Sequence, residues 1–181
     1  MTKEFFRKII SFVFKVISKP YIVYITKSYS LSGSVRARIY KHLFAQCGSN
    51  FNINGKPLIF EPEKISVGNN VTINNGVQLC PRGKIYLSDY VTLSRGAQIT
   101  AGELDMQCWA NEKYKEHIHT QGDVFLGEGT WLCINSVVLP GVRITGKGVV
   151  VAAGAVVTKS FSEDYVVLGG VPAKIVKYLN K

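Results

Sequence analysis

An aliphatic residue returns at every sixth position of this chain. In the stretch LGEGTWLCINSVVLPGVRI, residues 126–144, the row consists of Leu126, Leu132, Val138 and Ile144. An α-helix places its apolar residues at a period near 3.6, and a half-buried strand alternates with a period of two. Because six is a multiple of two, each hexad fits a short strand that ends in a corner. The period therefore predicts a coil with flat sides.

The six-residue spacing recurs in two earlier rows, 67–79 and 87–99. The fourth residue after most row positions is small or branched, and the segments VGNNVTINNG and LSRGAQI place asparagine and glycine between them. Such residues give the backbone the freedom that tight corners need. The repeat predicts that most of the chain is one continuous coil.

The register breaks at three places. Leu79 and Leu87 are eight residues apart, which predicts a bulge at CPRG, and a one-residue irregularity falls near TGKG. The third break separates Ile99 from Leu126 and contains the polar, aperiodic segment AGELDMQCWANEKYKEHIHTQG, which we call the insert (residues 101–122). Long loops on rigid scaffolds tend to carry function, so we expect the insert to contribute to a site.

The N-terminus is basic, whereas the rest of the chain is nearly neutral. Residues 1–42 hold nine of the 22 Lys and Arg residues and one of the 12 acidic residues, which leaves 13 basic and 11 acidic residues for the body. The abundance of Phe, Ile and Val in this segment favours lipid or a protein partner over nucleic acid. Lys15, Lys19 and Pro20 interrupt the apolar run well short of a membrane span, and no signal-peptide cleavage site follows. We expect residues 1–30 either to contact an anionic membrane surface or to pack on protein.

The four cysteines, Cys47, Cys80, Cys108 and Cys133, show no spacing typical of metal ligands. In a cytoplasmic protein they are expected to be free thiols packed as small hydrophobic residues. No metal site is predicted.

Together with the hexads, the segments GEGTWLCINSVVLPGVRI, VAAGAVVTK and VLGGVPAKIVK resemble the hexapeptide-repeat acyltransferases. The resemblance covers roughly residues 51–178. It implies an all-β, left-handed parallel β-helix with three hexads in each triangular coil, stabilised by the stacking of neighbouring coils. We expect an N-terminal helical segment over 1–48, the β-helix over 49–160 with the insert extruded from it, and a tail over 161–181 that ends in a short helix.

The resemblance also implies a reaction. Members of the family transfer an acetyl group from acetyl-CoA to a hydroxyl or amine held in a groove between two subunits of a homotrimer. Positions matching family residues that bind the cofactor are Trp131, Ala153, Lys159, Lys174 and Lys177. Asn74 matches an asparagine that binds the acceptor in sugar acetyltransferases.

Acetyl transfer of this kind requires a general base, and histidine is the natural choice because it is largely neutral near pH 7. His42 lies in the basic N-terminal segment, where we expect it to be structural or solvent-facing, which leaves His117 and His119 in the insert. Maltose and galactoside acetyltransferases place their histidine earlier, where this chain reads TAGELD. We predict that His119 is the base, with His117 in reserve. Two acidic residues of that segment, Asp105 and Glu103, are expected to orient the imidazole or to replace it. Glu103 is also expected to bind the acceptor, as Asn74 is.

The sequence predicts an acetyl-CoA-dependent O-acetyltransferase that acts on a sugar or lipid-linked saccharide in capsule, O-antigen or exopolysaccharide assembly, at the cytoplasmic face of the membrane. A covalent route through Cys108 is less favoured, because nothing nearby lowers its pKa. Other hypotheses are an enzyme that acetylates a xenobiotic such as an antibiotic, a non-catalytic β-helix that binds sugar or a partner, and a γ-carbonic-anhydrase-like zinc enzyme. The last would need a third ligand beside His117 and His119.

Overall fold

The computed structural model describes residues 32–180 and shows a parallel β-helix of about six turns. Short strands of successive turns stack into three sheets, which form the three faces of the helix. The first face consists of β1 (Gln46–Cys47), β4 (Ile65–Val67), β7 (Ile85–Leu87), β12 (Val124–Leu126) and β15 (Arg143–Ile144). The third face consists of β3 (Leu58–Ile59), β6 (Gln78–Cys80), β9 (Gln98–Thr100), β14 (Val137–Val138) and β17 (Val156–Val157). The β-helix fold that the family resemblance implies is confirmed.

The second face is the longest and ends in an antiparallel strand. Its parallel strands are β2 (Asn52–Ile53), β5 (Thr72–Ile73), β8 (Thr92–Leu93), β13 (Trp131–Leu132), β16 (Val150–Val151) and β18 (Val166–Gly169). The outermost strand, β19 (Lys174–Tyr178), pairs antiparallel with β18.

The six-residue rows form the core of the β-helix. On the second face Ile73 pairs in register with Leu93, which pairs with Leu132, and all three are fully buried. A buried Leu or Ile stabilises the fold by about 1.5–3 kcal/mol relative to an exposed one. Stability therefore accumulates from contacts between neighbouring coils.

The small residues that follow each row position lie inside the corners. Thr130 and Ser136 are fully buried, and their hydroxyls donate to the carbonyl oxygens of Gly127 and Cys133 at 2.8 Å. These bonds satisfy the hydroxyls locally, so that polar residues are tolerated in the core. A larger side chain at such a position would enter space filled by the adjacent rows.

Helix α1 (Gly33–Leu43) packs on the first coil, next to β1 and β2. Tyr40 stacks on Phe44 with ring centroids 5.7 Å apart, and Phe44 meets the edge of Phe51 at 5.5 Å. The guanidinium of Arg36, also on the buried side of α1, donates to the carbonyl oxygen of Gly55. These contacts cover the apolar end of the coil. The segment predicted to contact membrane, residues 1–30, lies outside the described residues.

The predicted C-terminal helix is wrong. Residues Lys174–Tyr178 form strand β19, which follows the cis peptide bond between Val171 and Pro172. A helix would leave the outer edge of β18 without backbone partners, and the strand supplies them. The β-branched residues Ile175 and Val176 also favour an extended chain.

Candidate active site

The insert leaves the β-helix at the corner between the third and first faces, because it follows β9 and precedes β12. The insert contains regular secondary structure. Strands β10 (Gly102–Leu104) and β11 (His119–Gln121) pair antiparallel, and helix α2 (Met106–Ala110) and a 3-10 turn (Tyr114–Glu116) form its tip. At its base the N–H of Gly122 donates to the carbonyl oxygen of Ala101 at 3.1 Å.

The two candidate bases differ in backbone conformation. His119 is the first residue of β11 and pairs with Leu104, whereas His117 follows the 3-10 turn with φ of +48°. Because residue 117 is in the left-handed region, the two imidazoles do not leave the backbone from one extended segment. Both histidines are exposed. The third histidine, His42, is exposed on α1 at the first coil, in the expected N-terminal helical segment.

The structure gives Asp105 a role within the insert. Its carboxylate accepts the N–H of Gln107 at 2.8 Å and so caps α2, while its own N–H donates to the carbonyl oxygen of Ile118 at 2.8 Å. Glu103 is exposed and pairs with Thr120 across the two strands. The geometry thus shows Asp105 shaping the insert, and no described contact joins its carboxylate to an imidazole.

Cys108 is the buried residue of α2. Burial raises the pKa of its thiol, and the neighbouring carboxylate of Asp105, which also accepts its hydrogen bond, raises it further. A thiol with a raised pKa is a poor nucleophile near neutral pH, since the thiolate is the reactive form. This environment weighs against a covalent route through Cys108.

A row of polar side chains follows the second face, at the corner that leads to the third. Asn54, Asn74 and Ser94 each come directly after a buried row residue, at intervals of 20 positions. The amide of Asn54 donates to Oδ1 of Asn74 at 3.1 Å, and the amide of Asn74 donates to the carbonyl oxygen of Leu93 at 2.8 Å. The indole Nε1 of Trp131 donates to Oγ of Ser94 at 2.8 Å. Asn74, predicted to bind the acceptor, thus contacts Leu93, and Trp131, predicted to bind the cofactor, contacts the next residue, Ser94.

The predicted cofactor residues Lys159 and Lys174 line the same surface cavity, of about 360 Å³. The cavity also contains Phe161, and the Lys159 Nζ lies 5.6 Å from the centre of that ring. Lys159 follows β17, and Phe161 bridges to the first face at Ile144. The cavity therefore opens at the same corner as the insert, two coils further along the axis.

The other two predicted cofactor residues lie on the second face or beside it. Ala153 is exposed at the corner after β16 and precedes Gly154, which has φ of +70°. Lys177 lies on β19, where it is exposed and pairs with Val167.

The predicted site residues thus fall into two groups on one chain. His117, His119 and Lys159 belong to the corner between the third and first faces. Asn74 and Trp131 belong to the second face and the corner that follows it. The two groups lie at different corners of the β-helix, at the two ends of the third face.

Two features of the site region were missed by the sequence analysis. Ser94 could have been found, because it stands 20 positions after Asn74 in the same place of its hexad. The second feature is an exposed aromatic pair at the tip of the insert, Trp109 and Tyr114, whose ring centroids are 6.4 Å apart. The aperiodic sequence of the insert carries no signal for that pair.

In the described part of the chain, no group of three His, Cys, Asp or Glu side chains is arranged to hold a metal ion. Over the same residues, no helix has the length and apolar character needed to cross a membrane.

Comparison with known proteins defines the class to which this fold belongs. The structure superimposes on an acetyl-CoA complex of a hexapeptide-repeat-containing acetyltransferase from Vibrio cholerae O1 biovar eltor with a TM-score of 0.78, over 88% of this chain and 84% of that one, at 22% sequence identity. A maltose O-acetyltransferase from Clostridium difficile 630 gives a TM-score of 0.79 over 90% and 87% of the two chains, at 23% identity. The chain has the β-helix fold of the hexapeptide-repeat acetyltransferases.

One relative found by sequence has a more specific described function, but it matches a shorter part of the chain. Over 57 residues the chain is 51% identical to WbbJ of Escherichia coli K12, a protein named for O-acetyl transfer in lipopolysaccharide biosynthesis. That segment is 32% of this chain and 28% of the relative. No family model matches the chain.

Proposed function

We propose that the protein is an acetyl-CoA-dependent O-acetyltransferase whose acceptor is a sugar hydroxyl. The observation that carries this proposal is the 51% identity, over 57 residues, to a relative named for O-acetyl transfer in lipopolysaccharide biosynthesis, on a chain with the fold of an acetyl-CoA-binding enzyme. The acceptor is a saccharide of the capsule, O-antigen or exopolysaccharide class, as a lipid-linked or nucleotide-linked sugar. The reaction takes place in the cytoplasm, at or near the inner face of the membrane.

In the proposed reaction, the imidazole of His119 takes the proton of the acceptor hydroxyl while its oxygen attacks the thioester carbonyl. The new C–O bond forms a tetrahedral intermediate, the C–S bond then breaks, and the proton passes to the departing CoA thiolate. His119 suits the role because β-pairing with Leu104 fixes its backbone, and a base must hold its position closely to be effective.

The lysines supply charge for the acidic cofactor. Lys159 and Lys174 line one cavity, and two cations side by side suit a phosphate group of CoA. Lys177, exposed on the same strand as Lys174, is a third cation for the cofactor. Ala153 contacts the pantetheine arm of CoA, and Trp131 lies beside its thioester end. No metal takes part.

The active site is composite and needs a homotrimer. One chain presents the insert and the lysine cavity at one corner, and presents Trp131 and Asn74 on another part of its surface. In a closed ring of three chains, the first group of one subunit can face the second group of its neighbour. The acceptor and acetyl-CoA then bind at each subunit border.

The direct test is an assay of acetyl-CoA-dependent transfer to a panel of methyl hexopyranosides, with CoA thiol release and product mass as readouts. The expected result is an O-acetylated glycoside that gains the mass of one acetyl group. CoA binding with transfer to an antibiotic hydroxyl but to no sugar would favour the xenobiotic enzyme. Absence of both CoA binding and transfer would contradict the proposal and favour a binding protein.

A further inference from the structure

The contact between Trp131 and Ser94 fixes an indole ring on the open surface of the second face. Trp131 is 47% exposed, yet its Nε1 donates to the Ser94 Oγ at 2.8 Å. The backbone of Trp131 pairs with Thr92, so the ring extends along the neighbouring coil to reach residue 94. An exposed tryptophan that is held by its N–H keeps one face free in a fixed orientation.

Ser94 itself is held firmly enough to orient the ring. Its N–H donates to the carbonyl oxygen of Leu132 at 2.8 Å, and its carbonyl oxygen accepts the N–H of Ala97 at 3.1 Å. The residue is half-buried at the corner. Since an indole N–H is a donor only, Ser94 must accept in this contact, and its own hydroxyl proton is left to point elsewhere. Within residues 32–180 that proton has no acceptor among the hydrogen bonds of Ser94.

The row beside Ser94 offers a second donor. The Asn74 amide nitrogen carries two protons, and one of them is used by the Leu93 carbonyl oxygen. The Asn74 Oδ1 is occupied by the Asn54 amide. A ligand that lies along this row therefore meets hydrogen-bond donors at positions 74 and 94 and an aromatic face at position 131. A pyranose ring, with C–H groups on its faces and hydroxyl oxygens around its edge, has the matching chemistry.

We propose that Ser94 is an acceptor-site residue with two tasks: it positions the indole of Trp131, and it donates its hydroxyl proton to the sugar. This inference rests on the proposed function for the identity of the reaction. It adds a residue to the site.

The contact is tested by NMR on the indole N–H groups of the assembled protein. Trp109 and Trp131 are the two tryptophans, so Trp109→Phe assigns the Trp131 resonance. Ser94→Ala should move that resonance upfield as its hydrogen bond is lost, and Ser94→Thr should restore it. Ser66→Ala is the matched control, because Ser66 is a half-buried serine on the first face. An unchanged Trp131 resonance in Ser94→Ala would overturn the positioning role.

The binding role is tested with methyl α-glucopyranoside, methyl β-galactopyranoside and methyl α-rhamnopyranoside as probes. At least one should perturb the wild-type Trp131 resonance, and that effect should weaken in Ser94→Ala. In the transfer assay Ser94→Ala should raise the sugar KM about tenfold, as expected for one lost hydrogen bond to a ligand. The KM for acetyl-CoA should change little, and Ser94→Thr should recover the sugar KM.

The outcomes separate this inference from the proposed function. Absence of transfer by the wild-type enzyme would contradict the proposed function, while perturbation of the Trp131 resonance by a glycoside would still support an acceptor site at Ser94. A wild-type resonance that none of the three glycosides perturbs would overturn the inference, whatever the transfer assay gives. Should Ser94→Ala fail to assemble, Trp131→Phe removes the same N–H donor and keeps an aromatic ring, and an unchanged sugar KM in that variant would equally overturn the inference.

Discussion

His119 and Leu104 are direct partners across the two strands of the insert. The pairing starts beside the hydrogen bond from the Asp105 N–H to the Ile118 carbonyl oxygen, so the backbone at position 119 is held from both sides. An exposed imidazole on a fixed backbone is the arrangement that a general base requires.

We expect His119→Ala to lower turnover by about 100-fold or more and to leave CoA binding nearly unchanged. Steady-state transfer kinetics and calorimetric CoA binding measure the two effects. The control is His117→Asn, because asparagine tolerates the left-handed backbone at position 117 and removes the imidazole. That variant should keep most of its turnover. Full turnover in His119→Ala with loss in His117→Asn would transfer the role to His117, and full turnover in both would exclude a histidine base.

The second prediction concerns the composite site. His119→Ala and Trp131→Ala are each expected to be weakly active alone. Co-expressed at equal levels, they should form mixed trimers in which roughly a quarter of the subunit borders combine an intact insert with an intact Trp131. Activity should recover toward that fraction of wild type.

The control for this experiment is His119→Ala co-expressed with the double variant His119→Ala/Trp131→Ala, a pair that contains no intact histidine. Transfer activity should not recover in this control pair. Light scattering on the wild type checks the trimer, and a fully active monomer would contradict the composite site.

The hexads made the body of the β-helix predictable. The strand pairing that completes it, between β18 and β19, was not predictable. Leu126 and Leu132 illustrate why the body was predictable: a buried aliphatic residue returns at each sixth position, and its stacking partner in the neighbouring coil is also a buried aliphatic residue. Strand β19 depends on an open edge at β18, which the sequence of the tail does not reveal.

The site shows the same division. The row Asn54, Asn74 and Ser94 keeps an interval of 20 residues, which is readable from the sequence. Trp131 lies 37 residues after Ser94 because the insert intervenes, so their contact follows only from the stacked coils. The insert carries no periodicity, and its tip is shaped by the burial of Cys108 and the capping by Asp105.

The third prediction concerns acid stability. Asp89 accepts hydrogen bonds from the backbone N–H of Asn69 at 2.7 Å and from its side-chain amide at 3.1 Å. These bonds, the backbone one first, lower the pKa of the Asp89 carboxyl. A carboxyl with a lower pKa in the folded state stabilises the fold above its unfolded pKa, near 4, and loses that contribution as the pH falls through the folded value.

Asp89→Asn should therefore be less stable than wild type at pH 6, and the difference should shrink as the pH is lowered to 3. Thermal unfolding at a fixed chain concentration measures both proteins across this range. A difference that stays constant with pH would show that Asp89 contributes through geometry alone and not through its charge.

The fourth prediction concerns the N-terminus, on the basis of its composition. Deletion of residues 1–30 should lower co-sedimentation with vesicles that contain anionic lipid and leave the β-helix circular dichroism signal intact. Neutral vesicles serve as the control, since they lack the charge that attracts a basic segment. Equal binding of the truncated and full-length chains to anionic vesicles would contradict a membrane role for this segment.

The last prediction concerns the stacking of the coils. A Cβ at Gly127 would lie 2.7 Å from the carbonyl oxygen of Gly146 and 2.9 Å from that of Ile144, both in the backbone of the next coil. Gly141 differs in both respects: it has φ of +78°, and a Cβ there would meet nothing within 4 Å. Gly141→Ala should cost about 1 kcal/mol, the strain of a left-handed alanine. Gly127→Ala should cost about 2–3 kcal/mol, because a rigid backbone must move to relieve the overlap. Thermal unfolding of the two variants gives the order directly. If Gly141→Ala proved the more damaging change, backbone conformation at the corners would limit the stability of this β-helix more than the close approach of its coils.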